Sequence, residues 1–326
     1  MEVMEVMKAR TPAPQLYSYV SGHPSRVTSH SSSSPVTRHC HSDLHHFHHL
    51  HHLHHLPSSM HLHIRHETLY RYGEPVKRSV QNLRLTPRRD PMQRALSWNI
   101  STPGRHQSQI DAYGNVVHLL TLDEPHSEIR IVVHGVVETI NEQASLPDEG
   151  QLSPLTYLAE TTLTKPDQRI REFAARYLSG AGDRYPKLMA LANAICETMM
   201  YETGSTEVHE TAAESFARGK GVCQDHAHVF IACCRSAGIP ARYVSGYLYT
   251  GDDGHIASHA WVDAWIDSEA GWKSIDVTHH TSAHTNYCRL AVGRDYLDAC
   301  PVRGVRRGGG REDMHVAVIV ANSAQQ

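Results

Sequence analysis

One cysteine, Cys223, stands where a thiol gains reactivity. It follows the glycine-flanked segment Gly219–Gly221, and the apolar residues after it recur at helical spacing until Gly238 and Pro240. The pattern therefore places Cys223 at the start of a buried helix. There the partial positive charge of the helix end lowers the pKa of a thiol, and the resulting thiolate is the nucleophile. A glycine just before the cysteine would also let a substrate carbonyl approach closely.

A thiolate nucleophile needs a base, and the base needs an acceptor that orients it. Downstream, the stretch HIASHAWVDAWID alternates as a strand that begins at His259, and the next strand, GWKSID, ends at Asp276. If the two strands form a hairpin through the turn at Ser268–Gly271, Asp276 lies opposite His259 near one end. The order of Cys223, His259 and Asp276 predicts a catalytic constellation.

Other residues compete for each of these roles. The alternative bases are His226, His228 and His255, and the alternative acceptors are Asp263 and Asp267. A metal site is a second chemical alternative, in which Cys223 and His259 join Asp276 or His226 around a zinc ion. A helix plus a hairpin supplies no closely spaced ligand pair to anchor such an ion, so we expect no metal and no cofactor in the core.

The remaining cysteines of the folded region have simpler explanations. Cys233 and Cys234 lie about three turns into the same helix on its apolar side, where burial raises the pKa of a thiol. Cys196 lies inside another predicted helix and is expected to be a buried apolar residue. Cys288 and Cys300 have no obvious base beside them in the sequence. Only Cys223 is therefore predicted to be reactive.

Composition excludes several classes of protein. The chain has 326 residues, of which 40% are hydrophobic and 20% charged, with a net charge of −3. These values fit neither a disordered acidic chain nor a polybasic nucleic-acid binder. Seven cysteines without any CxxC pair argue against a disulfide framework and favour a reducing compartment. Because the sequence shows neither an apolar run of about 18 residues nor a secretory signal, we expect a cytoplasmic protein without a membrane partner.

Histidine is concentrated at the amino terminus, where 15 of the 28 histidines precede residue 67. Residues 1–59, with a serine run and the tract HCHSDLHHFHHLHHLHHL, lack the apolar content of a core and are predicted to be disordered. The tract could chelate nickel or zinc, or it could be a low-complexity leader without a role. A third interpretation is that translation begins at Met60.

The elements that must position the chemistry follow from periodicity. Residues 60–142 alternate with period two and predict a mainly antiparallel β domain, with a hairpin at Gly114-Asn115. Three prolines mark residues 143–166 as a linker. Residues 167–326 form the predicted catalytic core, which includes helices over 167–178 and 186–200, a basic glycine-rich loop around 303–311 and C-terminal strands. The fold class is α+β, with helices packed on an antiparallel sheet.

The motifs GxGVCQDxAHxFIxxCRxxGIPARYVSGY, SHAWV and GWxxxD resemble the transglutaminase-like superfamily, particularly its bacterial members. The resemblance covers about residues 155–300, and HIRHETLYRYGEPV is similar to the N-terminal domain that commonly precedes this core in bacteria. It implies a papain-like fold in which Cys223 is the nucleophile, His259 the base and acid, and Asp276 the residue that fixes the imidazole tautomer. The family often continues after the aspartate with Pro and Asn, whereas this chain has Val277, Thr278 and His279.

We therefore expect an enzyme that attacks an amide carbonyl and forms a thioester on Cys223, acting on a peptide or protein. Trp261 lies on the side of His259 and either walls the cleft, as a substrate-binding residue, or packs in the core. Hydrolysis is favoured over glutamine-directed amine transfer because the chain has no calcium loop of the DxDxDG kind. The third alternative is a non-enzymatic binding module that retains the fold. Sequence does not determine the substrate, the second oxyanion donor or the oligomeric state.

Overall fold

Two antiparallel sheets contain most of the strands in the computed structural model. The structure describes residues 5–6, 59–141, 146–147, 152–202, 210–251, 258–267 and 271–322. The predictions for the leader, disorder and metal binding, lie outside the described residues apart from its positions 5–6 and 59. The sixteen strands within these ranges are β1 (Glu5–Val6), β2 (Ser59–Leu83), β3 (Gln93–Ser101), β4 (His106–Ile110), β5 (Val116–Leu122), β6 (His126–Ile140), β7 (Leu146–Pro147), β8 (Met200–Tyr201), β9 (Lys220–Gly221), β10 (Ala241–Leu248), β11 (Ser258–Ile266), β12 (Gly271–Asp276), β13 (Thr281–Ser282), β14 (Tyr287–Gly293), β15 (Val302–Gly308) and β16 (Glu312–Asn322).

The first sheet is organised around the long strand β2. Its first half pairs with β6 and β16, and its second half pairs with β5 and β15. The β2–β6 register shifts between Arg71 and Val76, around Gly73-Glu74-Pro75, where a proline cannot donate to a ladder. The predicted antiparallel pairing in this region is confirmed, including the hairpin between β4 and β5, where Gly114 has a φ of 78°.

The carboxyl-terminal strands differ from their predicted grouping. β15 and β16 pair with β2 and so extend the first sheet rather than the catalytic core. The predicted loop around residues 303–311 is largely strand, since residues up to 308 belong to β15 and pair with β2. Within it, Arg306 is buried and paired with Glu312 3.2 Å away. Residues 309–311 connect the two strands, and Gly308, Gly309 and Gly310 all have positive φ. The charged residues alone suggested a solvated loop, whereas pairing with β2 satisfies the backbone hydrogen bonds of this segment.

The second sheet carries the candidate site. Its order is β13-β12-β11-β10-β14, with β7 added to β12, and every pairing is antiparallel. Alternate residues of β11, from Ala260 to Ile266, share a buried cluster with residues of the long helix α4 (Cys223–Ser236). The predicted α+β class, with helices on an antiparallel sheet, is confirmed.

The described residues form the three predicted helices, with small shifts at their ends, and two short helices that were not predicted. Besides α4 they are α1 (Gln168–Leu178), α2 (Arg184–Thr198), α3 (Ala212–Arg218) and α5 (Tyr296–Ala299), with a 3-10 turn at Pro154–Leu158. Asp167 caps α1 by accepting the N–H of Ile170 at 2.9 Å, and Thr211 with Glu214 forms a capping box on α3. Within the described ranges, no helix has both the length and the apolar character that a bilayer span needs.

Candidate active site

Cys223 is the first residue of α4, as the sequence predicted, and its side chain is partly exposed. The helix start is held by Asp225, whose Oδ2 accepts the backbone N–H of Val222 at 2.8 Å. Gly221 leaves the space for that carboxylate, since an added Cβ would lie 2.6 Å from the Asp225 side chain. This glycine therefore makes room for a helix cap, in addition to any role in substrate approach.

His259 and Asp276 meet across the β11–β12 hairpin. The His259 Nε2 atom lies 2.7 Å from Asp276 Oδ2, and both side chains are almost fully buried. The ladder pairs Val262 with Ile275, so the contact runs diagonally and not between directly opposed residues. The turn through residues 268–270 lies outside the described residues. Cys223 is close enough to His259 to help raise its pKa, so the structure brings the three predicted residues together.

The electrostatics favour a charged imidazole. Burial by itself lowers the pKa of His259, but the Asp276 carboxylate, its hydrogen bond and the Cys223 sulfur outweigh burial and raise that pKa to about 10. Burial opposes ionisation of Asp276 too, yet the nearby charges of His259 and His279 keep its pKa well below the usual range. Because His259 donates its Nε2–H to the Asp276 carboxylate, the Nδ1 atom is the one left for the thiol.

Two further residues bind Asp276, and sequence reasoning did not assign them. His279 Nδ1 lies 2.7 Å from Asp276 Oδ2, and the hydroxyl of Tyr287 donates to the same oxygen over 2.7 Å. The backbone N–H of His279 reaches Asp276 Oδ1 at 3.1 Å. The only sequence signal was the departure from the family pattern after Asp276. Tyr287 lies on another strand and gave no local signal at all.

Tyr201 is another neighbour of the nucleophile that sequence reasoning missed. It pairs in parallel with Gly221, two residues before Cys223, and its ring packs edge-on against His226 with centroids 6.2 Å apart. Burial and the negative charges of Cys223 and Asp276 raise the pKa of its phenol, which stays protonated at neutral pH. Tyr201 is therefore a neutral phenol in the electrostatic environment of Cys223.

The competing histidines have other partners. His226 is buried, its Nδ1 lies 3.3 Å from Thr278 Oγ1, and burial lowers its pKa to about 4. His228 is fully buried and its Nε2 accepts the N–H of Tyr296 at 3.1 Å, while burial lowers its pKa to about 3. Both are therefore neutral rings at neutral pH, held in the core. His255 lies outside the described residues.

The competing aspartates form ion pairs. Asp263 lies fully buried between Arg242, at 2.8 Å, and Arg289, at 2.6 Å, and these cations lower its pKa despite burial. Asp267 is mostly exposed and pairs with Arg184. Neither is hydrogen-bonded to a histidine among the described contacts, so Asp276 is the acceptor that His259 uses.

His259, Asp276 and His279 have the residue types of a metal site, with their donor atoms within 4.8 Å of one another. The nitrogen-to-oxygen distances of 2.7 Å are those of charge-assisted hydrogen bonds. Two ligands of one tetrahedral zinc ion at ~2.0–2.1 Å from the metal lie about 3.3 Å apart. The packing of these three side chains therefore fits a proton-sharing network better than a zinc site.

Trp261, the predicted substrate-binding residue, is 1% exposed. Its ring stacks on His259 at an interplanar angle of 23° and packs edge-on against Tyr287. It also lines a cavity of about 400 Å³, together with Tyr287 and Arg289, and neither Cys223 nor His259 is part of that lining. Trp261 thus supports the imidazole from the core side, and a direct contact with substrate stays a prediction.

Comparison with known proteins agrees with this architecture. Residues 62–138 match the bacterial transglutaminase-like N-terminal region, and residues 171–277 match the transglutaminase-like superfamily. An uncharacterized protein of Mycobacterium leprae is 31% identical over 280 residues, which cover 81% of this chain and 99% of that protein. An uncharacterized protein of Mycobacterium tuberculosis is 31% identical over 270 residues, 74% of this chain and 86% of its own length.

A solved structure is also similar. The crystal structure of a candidate cysteine protease from Cytophaga hutchinsonii superposes with a TM-score of 0.68 at 21% identity, covering 83% of this chain and 93% of that chain. At that identity the likeness shows the fold alone. The fold, the two matched regions and the curated relatives agree: this chain belongs to the transglutaminase-like superfamily and has its bacterial N-terminal region.

Proposed function

We propose that the protein is a cysteine-dependent amide hydrolase that acts on a peptide or protein substrate. The observation that carries the proposal is that one imidazole, His259, is hydrogen-bonded to the buried Asp276 carboxylate at 2.7 Å and has its pKa raised by Cys223, which stands at a helix start. A scaffold that only binds has no need of this linked arrangement. The sequence resemblance and the family matches support the same class of chemistry.

The proposed reaction begins with a proton transfer within the site. Cys223 transfers its proton to His259 Nδ1, and the sulfur attacks the substrate carbonyl to form a tetrahedral oxyanion. The backbone N–H of Cys223, free at the helix start, is a natural donor to that oxyanion. His259 then protonates the leaving amine as the C–N bond breaks, which leaves a thioester on Cys223.

Water completes the cycle. His259 removes a proton from water, which attacks the thioester, and the sulfur leaves as thiolate with release of the acid product. An amine in place of water would give a new amide instead. We favour water because the chain contains no calcium loop of the DxDxDG kind.

The test uses dimethylated casein as the amide source, with and without dansylcadaverine as an amine. Hydrolysis releases new amino termini or ammonia, whereas transfer incorporates the fluorescent amine. We expect release in the wild type, loss of at least a hundredfold in Cys223→Ala, and unchanged release in Cys300→Ala, which removes a buried thiol away from the site. Equal activity in Cys223→Ala would refute the proposal, and predominant amine incorporation would assign the protein to the transferases.

A further inference from the structure

Asp276 binds one more histidine than the proposed reaction uses. Its Oδ2 atom receives His259 Nε2, His279 Nδ1 and the Tyr287 hydroxyl, each at 2.7 Å. Because an ionised carboxylate only accepts hydrogen bonds, each histidine must carry its proton on the nitrogen that faces Asp276. His279 also donates its backbone N–H to Oδ1, so a single residue engages both carboxylate oxygens.

The turn that presents His279 is held from two helices. The Cys196 thiol of α2 donates to the carbonyl of Val277 at 2.7 Å, and Thr278 Oγ1 lies 3.3 Å from His226 of α4. Cys196 is thus not the plain apolar residue that the sequence predicted. The turn ends at His280, whose φ of 42° is uncommon for a residue other than glycine and persists where surrounding structure imposes it.

We propose that His279 is a positioning residue for the candidate triad: it holds the Asp276 carboxylate in the orientation that receives His259 Nε2 and so leaves His259 Nδ1 for the Cys223 thiol. The inference rests on the proposed function, because it concerns the same site. His279 stands in the segment where this chain departs from the usual family pattern. The ring centroids of His279 and His259 are 5.2 Å apart, and both rings bind the same oxygen of Asp276. His279 therefore supports the imidazole through the carboxylate that the two histidines share.

The competing role for His279 is that of a second base. Substitution by asparagine distinguishes this role from the positioning role. Asparagine can donate an N–H to Asp276 but cannot take up a proton. If His279 positions the carboxylate, His279→Asn keeps most of the reactivity and His279→Ala loses it. If His279 were a base, both variants would lose it equally.

The experiment measures the second-order rate of Cys223 alkylation by iodoacetamide in the full-length chain, mapped by mass spectrometry from pH 5 to pH 9. We expect His279→Ala to lower the rate on the order of tenfold, the effect of losing one charge-assisted hydrogen bond. His279→Asn should remain within about threefold of wild type.

The pH profile gives a readout that a merely structural role would not move. The titratable groups that face Asp276 are His259, His279, His226, Tyr201 and Tyr287. The charge of His279 helps to lower the pKa of Asp276, so its removal raises that pKa. A carboxylate that is held less firmly also supports the charged His259 imidazole less well, so the thiolate–imidazolium pair weakens and the acid limb of the alkylation profile should move to higher pH in His279→Ala.

The outcomes separate this inference from the proposed function. If Cys223 of the wild type is reactive and His279→Ala reacts at the same rate, the positioning role is overturned and the proposed function is not. If the Ala and Asn variants lose reactivity equally, the positioning role is overturned in favour of a base. A wild-type Cys223 that reacts no faster than Cys288 or Cys300 overturns the proposed function and this inference together. If His279→Ala does not fold, His279→Gln moves the same amide donor one methylene away and should lose reactivity that His279→Asn retains.

Discussion

Two buried aspartates on neighbouring strands differ in their partners, and the partners distinguish a structural role from a chemical one. Asp263 is paired with two arginines, which keep their protons at any physiological pH, so its charge is permanently neutralised. Asp276 faces two imidazoles, which unlike a guanidinium can give up and take back a proton during a reaction. Only the second arrangement can respond when a thiol transfers its proton, and that difference assigns the chemistry to Asp276.

The pH dependence of Cys223 alkylation tests this assignment at the level of single residues. Because Asp276 raises the pKa of His259 to about 10, the imidazole can hold the thiol proton throughout the neutral range. We expect wild-type Cys223 to react with iodoacetamide already at pH 6–7. In His259→Ala the rate should instead rise with pH toward ~8.5, the pKa of an ordinary thiol.

Mass spectrometry of the alkylated peptides provides the measurement and an internal control. Burial raises the pKa of Cys233, Cys234 and Cys288, so these thiols should remain unmodified in both proteins. Identical pH profiles for wild type and His259→Ala would contradict the thiolate–imidazolium pair.

At the level of secondary structure, the start of α4 depends on a fit between Gly221 and Asp225. Asp225 caps the helix through Val222 N–H, and it can do so only because residue 221 has no side chain. The opposite end of α4 is closed by Gly238, with a φ of 72°, and by the N–H of Ile239 on the Cys234 carbonyl. The position of Cys223 is thus set by local geometry at the helix start.

Gly221→Ala is expected to disturb that start. The new Cβ would lie 2.6 Å from Asp225, so the carboxylate must move and the cap on Val222 is lost, at a cost of about 1–3 kcal/mol. A urea unfolding curve should show the lower stability, and the alkylation rate of Cys223 should fall. Gly73→Ala is the matched control, since its nearest contact is 3.6 Å away, and a wild-type midpoint in Gly221→Ala would count against the fit.

At the level of the whole molecule, a buried charge cluster connects the amino-terminal region to the second sheet. Arg289 of β14 pairs with Asp263 of β11 and, at 3.0 Å, with Asp90. Gln93 adds hydrogen bonds to both the N–H and the carbonyl of Arg289, although it precedes that residue by 196 positions in the chain. The second sheet is therefore held by residues from a distant part of the sequence.

Asp263→Asn should destabilise the protein by about 3–5 kcal/mol at pH 7, because it leaves Arg242 and Arg289 buried with one compensating charge fewer. Its neighbours hold the pKa of Asp263 below the ordinary value, so this stabilisation is present above pH ~3.9 and is lost as the pH falls below it. Urea unfolding at pH 7 and pH 3 should show the difference shrinking. Asp267→Asn, in an exposed pair, is the control and should change stability by less than about 1 kcal/mol.

Local patterns explain which features were predictable. The α1 and α4 helices, the β11–β12 hairpin and the two-part α+β fold follow from periodicity, which reports how each segment buries its apolar face. The return of β15 and β16 to β2 was not predicted, because a strand's alternation is the same whichever sheet it joins.

The amino-acid sequence was sufficient to single out the three residues that the structure brings together, since Cys223, His259 and Asp276 stand at the ends of elements whose periods are visible in the chain. Three-dimensional contacts were needed to show that His279 and Tyr287 share the Asp276 carboxylate and that Trp261 lies beneath His259 in the core. They were also needed to show that residue 221 makes room for a cap. The difference arises because hydrogen-bond partners and free volume depend on which segments meet in space, whereas a sequence pattern records only which face of each segment avoids water.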